Sequence, residues 1–176
     1  MTSKKYNFIV LAAMPEEIGN FVKKLNKLQM HKFGDLDVFQ GTYINEPNIQ
    51  LTIAWSGWGK VSAARAVSRL IGIAEQKNNT VDLIIFTGVA GAADPRLSQW
   101  DIVISEDLVQ HDMDASPLFK KFVIPSLGKE KILCNELIYH WAKDSINLTK
   151  NKDKIGEFGK VFSGLIATGD RFISDK

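Results

Sequence analysis

The chain has 176 residues, of which 45% are hydrophobic and 24% charged. That balance belongs to a globular protein able to bury a sizeable core, and it excludes disordered, collagenous and coiled-coil classes. Lysine and arginine number 22 against 20 aspartates and glutamates, a net charge of +2, too small and too evenly spread to predict binding to nucleic acid or to a membrane surface. Cys134 is the sole cysteine, so the sequence holds no disulfide framework and no cysteine-based zinc site. One thiol fits a reducing cytosol. The longest apolar run, Phe8 to Met14, is too short to cross a bilayer. Lys4 and Lys5 in front of it imitate a signal peptide, but Pro15-Glu16-Glu17 stands where a small-residue cleavage site belongs. The sequence therefore reads as cytoplasmic, with no targeting segment.

Along the chain, strand and helix patterns alternate. Tyr6 to Ala13 is an apolar stretch interrupted only by Asn7, the mark of a strand buried on both faces. Ile18, Phe21, Val22, Leu25 and Leu28 follow at steps of three and four, which predicts an amphipathic helix over 16–28, with Pro15 suited to its first turn. Strands are expected at Leu36 to Gly41 and Ile49 to Trp55, joined by a loop around Asn45-Glu46-Pro47-Asn48. A second helix is predicted over 60–74, with Ala63, Ala64, Val67, Leu70 and Ile71 on one face. Further strands are expected at 82–87 and 101–108, and a third helix over 134–146 with Leu137, Ile138, Trp141 and Ala142 facing inward. The last predicted strand is 160–167. Between these elements, 112–129 is the longest irregular stretch, and loops of that length are commonly functional or disordered. Alternation of this kind predicts a sheet covered by helices on both faces, and in such sheets ligands bind beyond the carboxyl ends of the strands.

Those strand ends carry the chemistry. The first runs into Ala12-Ala13-Met14-Pro15-Glu16-Glu17, two carboxylates in the first turn of a helix. Acidic residues there complement the helix dipole; a carboxylate so placed can also orient and deprotonate a water. The third ends in Ser56-Gly57-Trp58-Gly59-Lys60, where Gly-x-Gly permits either a tight turn or close backbone approach to a ligand. It is neither a dinucleotide fingerprint, since Ser62 stands three places after Gly59, nor a P-loop, since Val61 follows Lys60. Thr87-Gly88-Val89-Ala90-Gly91 after the fourth strand is small enough for the backbone itself to line a site, or for a plain turn. His111-Asp112-Met113-Asp114 follows the fifth. Neither His31 nor His140 has ligand spacing to it, so no metal is predicted, and a hydrogen-bonded pair at a strand end or subunit contact is the expectation. Phe172, beyond the last strand, can stack on a planar ring or pack beneath whatever follows it.

Taken together and in order, Ala13-Met14-Pro15-Glu16-Glu17, Ser56-Gly57-Trp58-Gly59-Lys60-Val61, Thr87-Gly88-Val89-Ala90-Gly91, Asp101-Ile102-Val103, His111-Asp112-Met113-Asp114 and Thr168-Gly169-Asp170-Arg171-Phe172-Ile173 closely resemble one family. It is the 5′-methylthioadenosine/S-adenosylhomocysteine nucleosidases, within the nucleoside phosphorylase superfamily. The resemblance implies one nucleoside phosphorylase-like domain over 1–176, a three-layer α/β/α sandwich with a mixed central sheet. It further implies hydrolysis of the N-glycosidic bond of an adenine nucleoside bearing a 5′-thio group, with release of adenine and a thioribose, as in methionine salvage. Glu17 matches the family's glutamate that positions and deprotonates the water. Phe172 matches the residue stacked on adenine, and the Ile173 backbone the group that bonds the base. Val89, Ala90 and Gly91 match the loop under the nucleoside, Met14 and Trp58 positions near the ribose and sulfur. No metal or organic cofactor is implied; a homodimer is.

The sequence departs from the pattern in three places. Val89 stands where some members carry a hydroxyl that helps hold a catalytic aspartate. Between Pro117 and Pro125, where some members send aromatic residues into a neighbouring subunit's pocket, the candidates are Leu118, Phe119 and Phe122. Members also continue past the Phe-Ile motif, with a glutamate that binds the ribose hydroxyls and a strand-helix segment whose aspartate protonates adenine N7. Here the sequence stops at Ser174-Asp175-Lys176, so the resemblance implies a C-terminally truncated copy with impaired activity. Two alternatives stay open. One is a nucleoside phosphorylase using phosphate in place of water, for which Arg96 and Arg171 are the only nearby arginines. The other is a non-catalytic nucleoside-binding or assembly module.

Overall fold

The computed structural model describes residues 4–151 and 158–174. The chain divides into two compact units, Met1–Ala90 and Gly91–Lys176.

The first unit is built on a mixed five-stranded sheet. Its strands are β1 (Tyr6–Ala12), β2 (Leu25–Phe33), β3 (Leu36–Tyr43), β4 (Glu46–Trp55) and β5 (Leu83–Phe86), in the order β2-β3-β4-β1-β5. β1 lies parallel to both neighbours, Phe8 opposite Leu51 of β4 and Leu83 of β5, whereas β2, β3 and β4 form an antiparallel meander. The pleat sends alternate residues of β1 to opposite faces. Ile9 and Leu11 pack with Leu36, Val38 and Ala54 against Ala66 and Leu70 of α2 (Lys60–Gln76). Val10 and Ala12 pack with Leu51 and Ile53 against Ile18 and Leu25 on the other face. Helix above and helix below explain why β1 reads as an apolar run broken only by Asn7 near its start. On α2 the buried stripe is Ala66, Leu70 and Ile73, with Val67 and Ile71 at its flank, while Ala64 is exposed. A methyl side chain adds too little apolar area to decide which face turns inward.

The helix predicted over 16–28 is shorter and changes character. α1 (Pro15–Ile18) is a single turn, a 3₁₀ segment covers Gly19–Lys24, and β2 begins at Leu25. Gly19, at φ 54°, ends the α-helical path. Leu25 is buried as the first residue of a strand, and Leu28 is exposed. Their spacing continues a helical period only by coincidence.

The second unit has a three-stranded sheet in the order β7-β6-β8. Central β6 (Ile102–Gln110) runs parallel to β8 (Val161–Thr168) and antiparallel to β7 (Lys131–Leu133). β7, three residues long, gives no readable alternation in sequence. α3 (Glu136–Asn151) packs against β6, but Leu137, Ile138 and Trp141, expected to face inward, are exposed. α3 instead seats through Tyr139, whose hydroxyl lies 2.5 Å from Ser163 Oγ and 3.0 Å from Glu106 Oε1. Polar pairing, not the apolar stripe, orients this helix. No helix among the described residues is long and apolar enough to cross a membrane.

Candidate active site

In the first unit the carboxyl ends of β1, β4 and β5 meet, and the ladder between them continues beyond the strands. Ser56 N–H donates to the Ala12 carbonyl at 2.8 Å, Gly57 N–H to Ala13 at 3.0 Å, and Thr87 N–H to Leu11 at 2.9 Å. Three chain segments are thereby locked together where each strand turns away. After β1, Met14 is still extended (φ −132°, ψ 153°), and Pro15 starts α1, where its missing N–H leaves nothing unpaired. This start places Glu17 at the third helical position.

Glu17 turns back over the helix start. Its Oε2 accepts the N–H groups of Ala13 at 2.8 Å and Met14 at 2.9 Å. The Met14 bond is the backward half of a capping box and serves the helix. Its Oε1 accepts the Val89 N–H at 2.9 Å. That third bond reaches a different strand end and serves no helix. The Glu17 carboxylate is thus half-buried, oriented by three backbone donors from two chain segments, and fixed in a way its neighbour is not: Glu16 is exposed on the outer side of the turn. A carboxylate held in this manner can hold a water and take its proton.

Around it, Ser56 is buried, its hydroxyl 2.8 Å from the Gly57 carbonyl oxygen and 3.3 Å from that of Ala12. Gly57 and Gly59, at φ 79° and 92°, take the left-handed conformations that turn β4 into α2, and Trp58 between them is 69% exposed. Met14 is half-buried; Val89 and Ala90 are exposed. The first unit therefore gathers Glu17, Met14 and Val89 at one set of strand ends, with Trp58 on the adjoining turn.

Gly91, Phe172 and Ile173 belong to the second unit. There the ends of β6 and β8 are tied by His111 N–H donating to the Thr168 carbonyl at 3.0 Å and Asp170 N–H donating to Asp112 Oδ2 at 2.8 Å. A side chain at Gly169 would collide with the His111 ring and the Asp112 carboxylate. His111 and Asp112 thus clasp the loop that carries Phe172 and Ile173, both exposed, Phe172 at 82%. In the next turn Asp114 accepts the Ser116 N–H at 3.0 Å, and hydrogen bonding from Ser116 holds its carboxyl below the usual range. Leu118, Phe119 and Phe122 are all exposed in the loop that follows. Among the described residues no group of three or more His, Cys, Asp or Glu side chains could hold a metal ion.

The family resemblance singled out Glu17 and named two of its three donors, Met14 and Val89, for other roles, whereas Ala13 and Gly88 were missed. Ala13 and Gly88 carry no side-chain chemistry, and their contribution, an N–H and an empty space, shows only when β1 and β5 are set side by side.

The sequence matches the family model of the Phosphorylase superfamily over residues 7–176. Among curated relatives, the 5′-methylthioadenosine/S-adenosylhomocysteine nucleosidase of Staphylococcus haemolyticus is 34% identical over 165 residues, covering 93% of this chain and 65% of the relative. The enzyme of the same name from Treponema pallidum is 26% identical, covering 94% of this chain and 64% of its own length. Among solved structures, the Colwellia psychrerythraea nucleosidase in complex with adenine superposes with a TM-score of 0.83 at 27% identity, covering 98% of this chain and 66% of that one. The Neisseria meningitidis nucleosidase with methylthio-immucillin-A gives 0.80 at 26% identity, covering 95% and 66%. This chain therefore spans slightly less than two thirds of the length of these relatives. The chain belongs to the phosphorylase superfamily, and its fold is that superfamily's α/β fold with a mixed sheet and helices.

Proposed function

We propose that this member of the phosphorylase superfamily hydrolyses the N-glycosidic bond of 5′-methylthioadenosine and S-adenosylhomocysteine, releasing adenine and the thioribose. The observation that carries this reading is the Glu17 carboxylate, fixed by the N–H groups of Ala13, Met14 and Val89. The names and adenine-type ligands of the relatives support the substrate class. In the reaction a water oxygen bonds to the anomeric carbon and one of its protons passes to Glu17. The C–N bond breaks with its electron pair going to adenine, which takes up a proton. Negative charge beside a sugar carbon that turns cationic favours the transition state over the bound substrate.

The remaining assignments extend the same reading. Phe172 stacks on the adenine ring and the Ile173 backbone bonds its edge. Met14 and Trp58 face the ribose and sulfur, and Val89, Ala90 and Gly91 form the floor under the nucleoside. Water as the nucleophile calls for no metal or organic cofactor. Two copies pair through the loop bearing Leu118, Phe119 and Phe122, and the protein works in the cytoplasm, in methionine salvage.

The test is adenine release from 5′-methylthioadenosine by the protein purified at its natural length, with and without phosphate. Glu17→Gln is expected to lower kcat by about 10²–10⁴-fold, the usual loss for a general base, and to leave adenine affinity within a factor of about 3; Glu16→Gln is expected to change neither. Near-normal turnover in Glu17→Gln removes Glu17 from the chemistry, and turnover that requires phosphate replaces hydrolysis by phosphorolysis.

A further inference from the structure

We propose that Gly88 is a positioning residue for Glu17, and that Oε1 is the oxygen through which this carboxylate works. The second half rests on the nucleosidase reading; the first does not. A carboxylate offers about four acceptor directions, two on each oxygen. Oε2 spends both, on Ala13 and Met14. Oε1 spends one, on Val89. Among the described residues these are all the hydrogen bonds Glu17 accepts, so one direction is left, and it is on Oε1.

Gly88 keeps that oxygen where it is. A Cβ at Gly88 would lie 2.5 Å from Oε1, 2.9 Å from Cδ and 3.2 Å from Oε2 of Glu17. The glycine is not there for its backbone freedom, since its φ lies outside the left-handed region. It is there for the space. Because the atoms in the way are the far end of a flexible side chain, alanine at 88 is accommodated by moving the carboxylate, not by breaking the strand end. The displacement is away from Val89 and off the one donor that fixes Oε1. The same logic separates Gly88 from a residue that merely permits folding: its substitution should harm the carboxylate and spare the fold.

Gly88→Ala and Glu17→Gln are therefore compared with the natural-length protein by amide NMR, thermal melting and adenine release. In the unaltered protein the Val89 N–H is expected at low field. It should move to higher field in Glu17→Gln, and in Gly88→Ala by more than alanine at 88 moves it in a Glu17→Gln background, while the melting midpoint of Gly88→Ala stays within about 2 °C. kcat of Gly88→Ala should fall on the order of 10²-fold, the loss that follows about 1 Å of misplacement, with KM changed by less than a factor of about 3. A Val89 resonance that Gly88→Ala moves no further than alanine at 88 moves it in a Glu17→Gln background overturns the positioning role, whatever happens to the rate. A shifted resonance with an undiminished kcat upholds the positioning role and overturns Oε1 as the working oxygen. If Glu17→Gln keeps its turnover, the general-base role of Glu17 falls instead, and the Val89 shift still decides for or against Gly88.

Discussion

The two units share a strand chemistry and differ in how much of it they bury. In the first, β1 and β4 are sandwiched between α2 on one face and α1 with its 3₁₀ extension on the other, and Leu11, Ile53 and Leu70 are almost wholly hidden. In the second, every described strand residue keeps some exposure, Ile124 in the long loop is its only buried apolar residue among those described, and α3 docks through hydroxyls and a carboxylate. The division has a functional sense. An acid–base group loses rate when it moves by an ångström, so it belongs on strand ends anchored in a close-packed core. The stacking proposed for Phe172 tolerates more, and an exposed ring on a loop clasped by His111 and Asp112 meets that need.

The largest test of this contrast is a pair of truncations. Leu11→Ala should cost about 2–5 kcal/mol, since it opens a cavity between sheet and helix with no solvent to fill it. Leu165→Ala, at a position 48% exposed on β8, should cost less than about 1 kcal/mol. Native-state amide exchange resolves the two, because local and global openings report separately for each strand. Equal costs would mean that the second unit hides as much apolar surface as the first.

What could be read from the sequence follows the same line. β1 and α2 were legible because burial on both faces and a helical stripe leave strong periodic signals. The 3₁₀ segment and β2 were not, because Leu25 and Leu28 extend the helical spacing while Gly19, the residue that ends the helix, counts as one ordinary position in a periodicity. The seating of α3 was misread for a different reason. Leu137 and Trp141 are the large apolar residues, yet Tyr139 makes the contact, and pairing with Ser163 and Glu106 is invisible until β6 and β8 lie side by side. At the site, the pair Glu16 and Glu17 announced itself by residue type and position, and the family resemblance chose Glu17. Its cradle did not announce itself, because backbone N–H groups exist everywhere in a sequence and only the fold aims them.

A smaller effect is expected from Tyr139→Phe. Lys143 Nζ approaches the same hydroxyl at 3.5 Å, so the substitution removes the centre of a four-residue network at the α3 seat. The loss should be about 0.5–1.5 kcal/mol, the net worth of a hydrogen bond in folding. It should appear as faster amide exchange in α3 and β6, with β1 unchanged. If exchange in β1 accelerates equally, the polar seat also supports the first unit, and the contrast between the units is overdrawn.

The smallest effects belong to two arginine–aspartate surface pairs, one in each unit. Arg65 meets both oxygens of Asp35 in the first, and Arg96 meets both oxygens of Asp94 in the second. Hydrogen bonds from these guanidinium groups hold the Asp35 carboxyl below its ordinary value and bring that of Asp94 down to about 2. A depressed carboxyl stabilises the folded chain above the unfolded value, near pH 4, and that contribution disappears as pH falls through the folded value. Both pairs lie in solvent, where water and salt screen them and side-chain entropy offsets the attraction. Arg65→Ala and Arg96→Ala should therefore leave the urea midpoint at pH 7 unchanged within error. Between about pH 4 and pH 2 the parent protein loses what little the pairs contribute, and its curve should converge on those of the variants. Charge would then be as weak in one unit as in the other, leaving buried apolar area as the difference between them. A fall at pH 7 comparable with that of Leu11→Ala, in either variant, would place the difference in electrostatics instead.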